Sequence, residues 1–150
     1  DLSKIPTNIL VEKFGKMGNS MASWSNGIDN RLVQISREIK SISNERTFPK
    51  DISSKNELLM ILEQLCNKVT KRLTDKNLSA KRVFIKIRYF DFETHTAQRS
   101  IAQSTDKLDI IKKIARELFT TAWVNKKPIR LIGIGVSNFK SPESTQLELF

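Results

Sequence analysis

The sequence predicts an α+β fold: a four-stranded, antiparallel-rich sheet with two helices on one face, in βαββαβ order, preceded by a short helical segment. Three observations carry this expectation. Residues 81–92 alternate apolar and mixed side chains with a period of two, as in a half-buried strand. Residues 58–73 and 108–122 place apolar side chains at intervals of three and four, as in helices with one buried stripe. Ser54-Lys55-Asn56-Glu57 has the S-x-x-E spacing of a capping box at the start of the first of those stripes.

Taken along the chain, residues 1–30 combine short helical patterns with Gly15, Gly18 and Gly27, which suits a small helical element joined by turns. Ile39 to Phe48 lacks helical periodicity and stops at Pro49, so it is expected to form the first strand. The capped helix then runs to about Asp75, burying Leu58, Ile61, Leu62, Leu65, Val69 and Leu73, with Cys66 on or beside that face. In the strand Lys81 to Phe92, Val83, Ile85, Ile87 and Tyr89 face one way. Phe84, Lys86, Arg88, Phe90 and Phe92 face the other. A turn at Glu93-Thr94-His95 leads into a third strand, Thr96 to Gln103, that pairs back as a hairpin. Thr105 or Asp106 opens the second helix, whose inner stripe is Leu108, Ile111, Ile114, Ala115, Leu118, Phe119 and Ala122. Ile129 to Phe139 supplies the last strand. Both helices are expected to cover one sheet face and to leave the other open, and function is expected on the open face.

Composition narrows the classes of function. The 150 residues are enough for one main domain with a sizeable core. The longest apolar runs fall far short of the roughly 18 residues a membrane span requires, so no membrane partner is expected. No secretory signal is visible at Asp1 to Pro6, and the lone Cys66 offers no disulfide framework. These features fit a reducing, cytoplasmic setting. The net charge of +10 is concentrated in residues 31–140, where 23 Lys and Arg stand against 11 Asp and Glu. A basic middle segment is the electrostatic footprint of a nucleic-acid binder, although a merely solvated basic surface has the same composition.

Side chains with catalytic potential are sparse. His95 has no cysteine or second histidine near it in sequence, so a plain turn histidine is expected rather than a zinc ligand or general base. Cys66 belongs to an apolar stripe, where a packed thiol is the natural reading. Asp91 and Glu93 could share a face, but at a hairpin end they read as solvated turn acids. Ile132-Gly133-Ile134-Gly135 contains a GxG with no third glycine and no following helix, which does not make a dinucleotide site. What remains is phosphate contact. Lys40, Arg46, Lys86, Arg88 and Arg99 come from three expected strands, interleaved with Ser41, Ser43, Thr96 and Ser100, side chains small enough for a phosphate to reach backbone N–H groups. Lys40, Arg46 and Arg99 are expected to share the open face, and scattered positions would count heavily against phosphate binding.

An RNA-recognition module has the same order of elements and is the alternative expectation. Such modules stack bases on aromatic residues of the sheet. The third expected strand, Thr96 to Gln103, has none, so backbone tracking fits better than base stacking.

Lys40-Ser41 with Ser43, Glu45 and Thr47-Phe48, the long Lys81 to Phe92 strand followed by Thr96 to Ser100, and Pro128 to Ser137 together resemble the little finger domain of Y-family translesion DNA polymerases, of the bacterial DNA polymerase IV type. The resemblance covers about residues 36–140. Phe14 to Gly18 and Asn26 to Arg31 are similar to the end of that family's thumb and its tether. It implies three parts: residues 1–30 as end of thumb and tether, 31–140 as a DNA-binding little finger, and 141–150 as a tail. It also implies a domain that lies in the major groove of primer-template DNA and grips the backbone through Lys40, Ser41, Ser43, Arg46, Gln98, Arg99 and Ser100. Lys86, Arg88 and Thr96 are neighbours on the same surface. The carboxylates that hold Mg2+ for nucleotidyl transfer are expected in the palm of the parent protein, so no cofactor, catalytic residue or metal site is expected within this chain. A nucleoid-associated monomer follows from the same resemblance.

The chain closes on Gln146-Leu147-Glu148-Leu149-Phe150, beyond the polar stretch Ser141 to Thr145. This pentapeptide resembles the Q-L-x-L-F peptide with which bacterial polymerases bind the sliding clamp. By that resemblance Leu147, Leu149 and Phe150 enter an apolar pocket on the clamp and Gln146 fixes the register. The bland alternative is that Leu149 and Phe150 fold back onto the domain.

Overall fold

A computed structural model describes residues 1–33, 38–124 and 126–140. Two compact units separate in it, Asp1–Glu38 and Ile39–Phe150. The first contains α1 (Thr7–Phe14) and α2 (Lys16–Ser25), joined at Gly15, whose φ of 59° only glycine adopts without strain. Gly18 lets the two helices touch: a Cβ there would lie 2.3 Å from the backbone of Leu10.

The second unit is the α+β layer predicted from sequence. Its elements are β1 (Ser41–Ile52), α3 (Lys55–Asp75), β2 (Ser79–Tyr89), β3 (Thr94–Thr105), α4 (Leu108–Ala122) and β4 (Ile129–Lys140). The four strands form one sheet in the order β1-β4-β2-β3, and every neighbouring pair is antiparallel. α3 packs on β1 and β4, while α4 packs on β2 and β3. The core therefore lies between the two helices and a single face of the sheet. Val83, Ile85 and Ile87 of β2 and Ile132, Ile134 and Val136 of β4 are buried there against Leu58, Leu62, Leu65 and Val69 of α3 and Ile111, Ala115 and Phe119 of α4. At about 1.5–3 kcal/mol for each fully buried aliphatic side chain, this one face supplies most of the driving force for the layer. Cys66 is part of the packing, and burial pushes its thiol up to about 12, which keeps it protonated and inert.

The ends of elements depart from the sequence expectation for local reasons. Ser54 caps α3 as predicted, its hydroxyl accepting from the Glu57 N–H at 3.4 Å. β1, however, begins at Ser41 and leaves Lys40 outside the strand, and it runs through Pro49 to Ile52. Proline is tolerated because β1 is an edge strand and its register with β4 slips between Thr47 and Ile52. The β2–β3 turn comes earlier than expected. β2 ends at Tyr89, and Phe90 and Phe92 belong to the turn, with the Phe92 N–H donating to the Tyr89 carbonyl and φ at Phe92 of 66°. They are consequently absent from the strand face on which alternation placed them, and His95 lies in β3. Thr105 is the last residue of β3, and the N-cap position of α4 is Lys107. The Thr105 hydroxyl accepts from the Lys107 N–H at 3.1 Å, which bends the chain into the helix.

Candidate nucleic-acid interface

The face of the sheet turned away from α3 and α4 is built by strand alternation and register. Four rows cross it from β1 through β4 and β2 to β3: Ser41, Ser137, Arg82, Ser100; then Ser43, Gly135, Phe84, Gln98; then Glu45, Gly133, Lys86, Thr96; then Thr47, Leu131, Arg88, Thr94. Each row is the set of residues directly opposite one another, with strands about 4.8 Å apart. Small side chains dominate β1, β3 and β4, while the longest cations all stand on β2.

The two glycines of β4 shape this surface. A Cβ on Gly135 would lie 2.2–2.8 Å from atoms of the Phe84 ring, so that ring lies flat across the strand. A Cβ on Gly133 would lie 2.8 Å from the Cβ of Glu45. The missing side chain lets Glu45 cross β4 and meet Lys86, whose Nζ stands 3.0 Å from the carboxylate. Arg88 donates through Nε to the Thr94 hydroxyl at 2.9 Å. Both of these cations are thus partly engaged within the protein.

Ser41 and Ser43 stand at the outer edge. The Ser43 carbonyl accepts from Nη1 of Arg72 on α3 at 3.2 Å.

The sequence expectation of one shared cationic surface is corrected for Arg46 and Arg99. Arg46 has the same parity as the buried Ile42 and Phe48, and it lines a hollow with Phe48, Ser54, Glu57 and Ile61 beside the start of α3. Arg99 lies opposite the fully buried Val83 and pairs with Glu117 of α4. Both guanidinium groups are on the helix side because an odd number of residues separates them from the open-face positions. Lys40 lies just before β1, so no ladder position fixes it. Lys86, Arg88, Thr96, Gln98, Ser100, Ser41 and Ser43 are brought together on the open face. Arg82 and Ser137, which the sequence reading passed over, join them. Arg82 has the same parity as Phe84, Lys86 and Arg88, and that period was the available signal. The peptide Gln146, Leu147, Leu149 and Phe150 lies outside the described residues.

The acids at the β2–β3 turn are held in a small charge network. Lys127 Nζ stands 3.0 Å from Asp91 and 3.1 Å from Glu93, and His95 Nε2 is 2.8 Å from the other Glu93 oxygen. The Lys127 ammonium holds Asp91 below the usual carboxylate range, and His95 together with Lys127 does the same for Glu93. Depressed carboxylates contribute above their unfolded pKa and lose that contribution as pH falls through the folded one, so this network is intact at neutral pH and fails in acid. The His95 ring also meets Tyr89 edge-on at 5.2 Å between centroids.

The class defined by this geometry is an α+β domain in βαββαβ order whose uncovered sheet face is basic and floored by glycine. Comparison with known proteins makes the assignment specific: residues 39–149 match the impB/mucB/samB family C-terminal domain, and the chain belongs to that family, as the little finger domain of the Y-family type. It is 34% identical over its whole length to the DNA polymerase IV of Clostridium acetobutylicum, covering 38% of that protein. It is 33% identical to the DNA polymerase IV of Streptococcus suis, with 94% of this chain and 40% of that protein aligned. The chain thus spans about two fifths of the length of these relatives. Among solved structures, a chimeric Y-family DNA polymerase shares the fold with a TM-score of 0.68 and 18% identity, over 92% of this chain and 40% of that one.

The close approach at Gly135 has a measurable consequence. Gly135→Ala is expected to lower unfolding free energy by about 1–3 kcal/mol, as overpacking does, and the loss should largely vanish in a Phe84→Ala background. Urea unfolding of the two single variants and the double variant measures the coupling. Strictly additive losses would contradict the ring-on-glycine contact.

Proposed function

We propose that this chain is the little finger of a translesion DNA polymerase, that its open sheet face grips the backbone of primer-template DNA, and that its closing peptide docks on the sliding clamp. The observation that supports the grip most directly is the open face itself. Its four rows carry Arg82, Lys86 and Arg88 against a single acid, Glu45, and their remaining positions are mostly hydroxyls, an amide and glycines. Such a surface can approach a phosphate chain closely and offers no pattern of side chains for reading base edges.

Single-strand RNA recognition by base stacking is less well supported. Phe84 is the one aromatic side chain in the four rows, and its ring is spent on Gly135. A grip through phosphates alone is sequence-independent and salt-sensitive, which suits a polymerase that must hold whatever template it meets. The nucleotidyl transfer itself, with its Mg2+ and metal-holding carboxylates, is assigned to the palm of the parent enzyme. A monomer in the bacterial cytoplasm, associated with the nucleoid, completes the proposal.

For the tail, Leu147, Leu149 and Phe150 carry apolar surface worth about 1.5–3 kcal/mol per fully buried side chain, and Gln146 supplies amide hydrogen bonds. Ordering and association costs remove much of that gain, leaving binding on the order of micromolar. A second hold on DNA raises the effective concentration of such a weak peptide at the clamp.

Fluorescence anisotropy separates the readings. The chain is expected to bind primer-template duplex more tightly than single-stranded RNA of equal length, with Lys86→Ala weakening duplex binding equally across sequences; tighter binding to RNA would sink the DNA grip. Replacing Leu149 and Phe150 with alanine should abolish binding to a bacterial sliding clamp while leaving DNA affinity and melting temperature unchanged. A fall in melting temperature would instead place those side chains in the domain's own core.

A further inference from the structure

We propose that Arg82, seated between Ser137 and Ser100, is the primary phosphodiester seat of the open face, an inference that rests on the DNA grip proposed above. The three cations of β2 on this face are not equivalent. Lys86 is ion-paired with Glu45 at 3.0 Å, and Arg88 is bonded to Thr94 at 2.9 Å. Arg82 makes no hydrogen bond or ion pair among the described residues, and its Nε is buried without a partner. A phosphate arriving at Lys86 competes with a carboxylate, whereas one arriving at the Arg82 guanidinium meets no side-chain acceptor among the described residues.

The neighbours of Arg82 fit the same ligand. Ser137 lies opposite it on β4 and Ser100 opposite it on β3, so a hydroxyl stands on each side at the strand spacing of about 4.8 Å. A guanidinium presents a planar fork to two phosphate oxygens, and each serine can donate to another oxygen. Ser41 continues the row on β1. Neither this row nor the next, Ser43, Gly135, Phe84, Gln98, contains an acidic side chain. Glu45 appears only in the third row, so no acidic side chain of the open face stands directly beside Arg82. The flat Phe84 ring beside the seat leaves the duplex backbone room to pass along the sheet.

The test uses the full chain and a fluorescent primer-template duplex, titrated from low to moderate salt. Arg82→Gln keeps most of the side chain's length and removes the charge and the fork. It is expected to weaken binding about tenfold and to reduce the salt slope by about 0.9, the value of one lost phosphate contact. Arg82→Lys keeps the charge without the fork and is expected to retain the wild-type slope with a loss of about threefold. Because Nε has no partner to lose, Arg82→Gln should unfold at the wild-type urea concentration or above it; if it does not, the Arg82→Lys titration decides. Wild-type binding with Arg82→Gln inside twofold and an unchanged slope would overturn the seat while leaving the DNA grip standing. Absence of salt-dependent duplex binding by the wild-type chain would overturn both.

Discussion

The valine and isoleucine side chains that β2 and β4 turn toward α3 and α4 determine what the opposite face can present. Val83, Ile85 and Ile87, with Ile132, Ile134 and Val136, are buried almost completely. A slip of one residue in β2 would expose Val83, Ile85 and Ile87 and bury Lys86 or Arg88 in their place, and a slip in β4 would expose Ile132, Ile134 and Val136. The cost of such a slip, several buried aliphatic side chains at once, locks the register. The register in turn aligns the rows that place serines beside Arg82 and glycines beside Phe84 and Lys86. The basic face is therefore a by-product of packing on the other side, and its precision is inherited from the core.

The two central strands divide the work unequally. β4 turns glycine and serine toward the open side through Gly133, Gly135 and Ser137, and β2 turns its long side chains across that low strip. One consequence is restraint: the glycine that lets Phe84 lie flat has a counterpart that lets Glu45 reach Lys86.

Much of this was legible in the sequence. The alternation of residues 81–89, the capping box at Ser54 and the two helical stripes reflect short-range rules, and all three appear in the structure. Three features depart from the sequence expectation. Pro49 looked like a strand end because tolerance of proline depends on β1 being an edge, which only the strand order reveals. Phe90 and Phe92 looked like strand residues because alternation carries no signal for where a hairpin turns. Arg46 and Arg99 looked like surface partners of Lys86, but their parity places them on the helix side, where Glu117 engages Arg99. For Arg46 the parity with Ile42 and Phe48 was a signal already present in the sequence, whereas for Arg99, in a strand with few apolar side chains, the face follows from its pairing with Val83.

The central claim is that contact with DNA runs through the open face and leaves the helices free. Amide chemical-shift perturbation of the isotope-labelled chain, titrated with primer-template duplex, tests it directly. The account predicts shifts concentrated at Ser41, Ser43, Arg82, Phe84, Lys86, Gln98 and Ser100, with the exposed positions of α3 and α4 unchanged. Shifts centred on Lys68, Lys71, Lys112 and Lys113 of the helices, with the sheet rows silent, would contradict it.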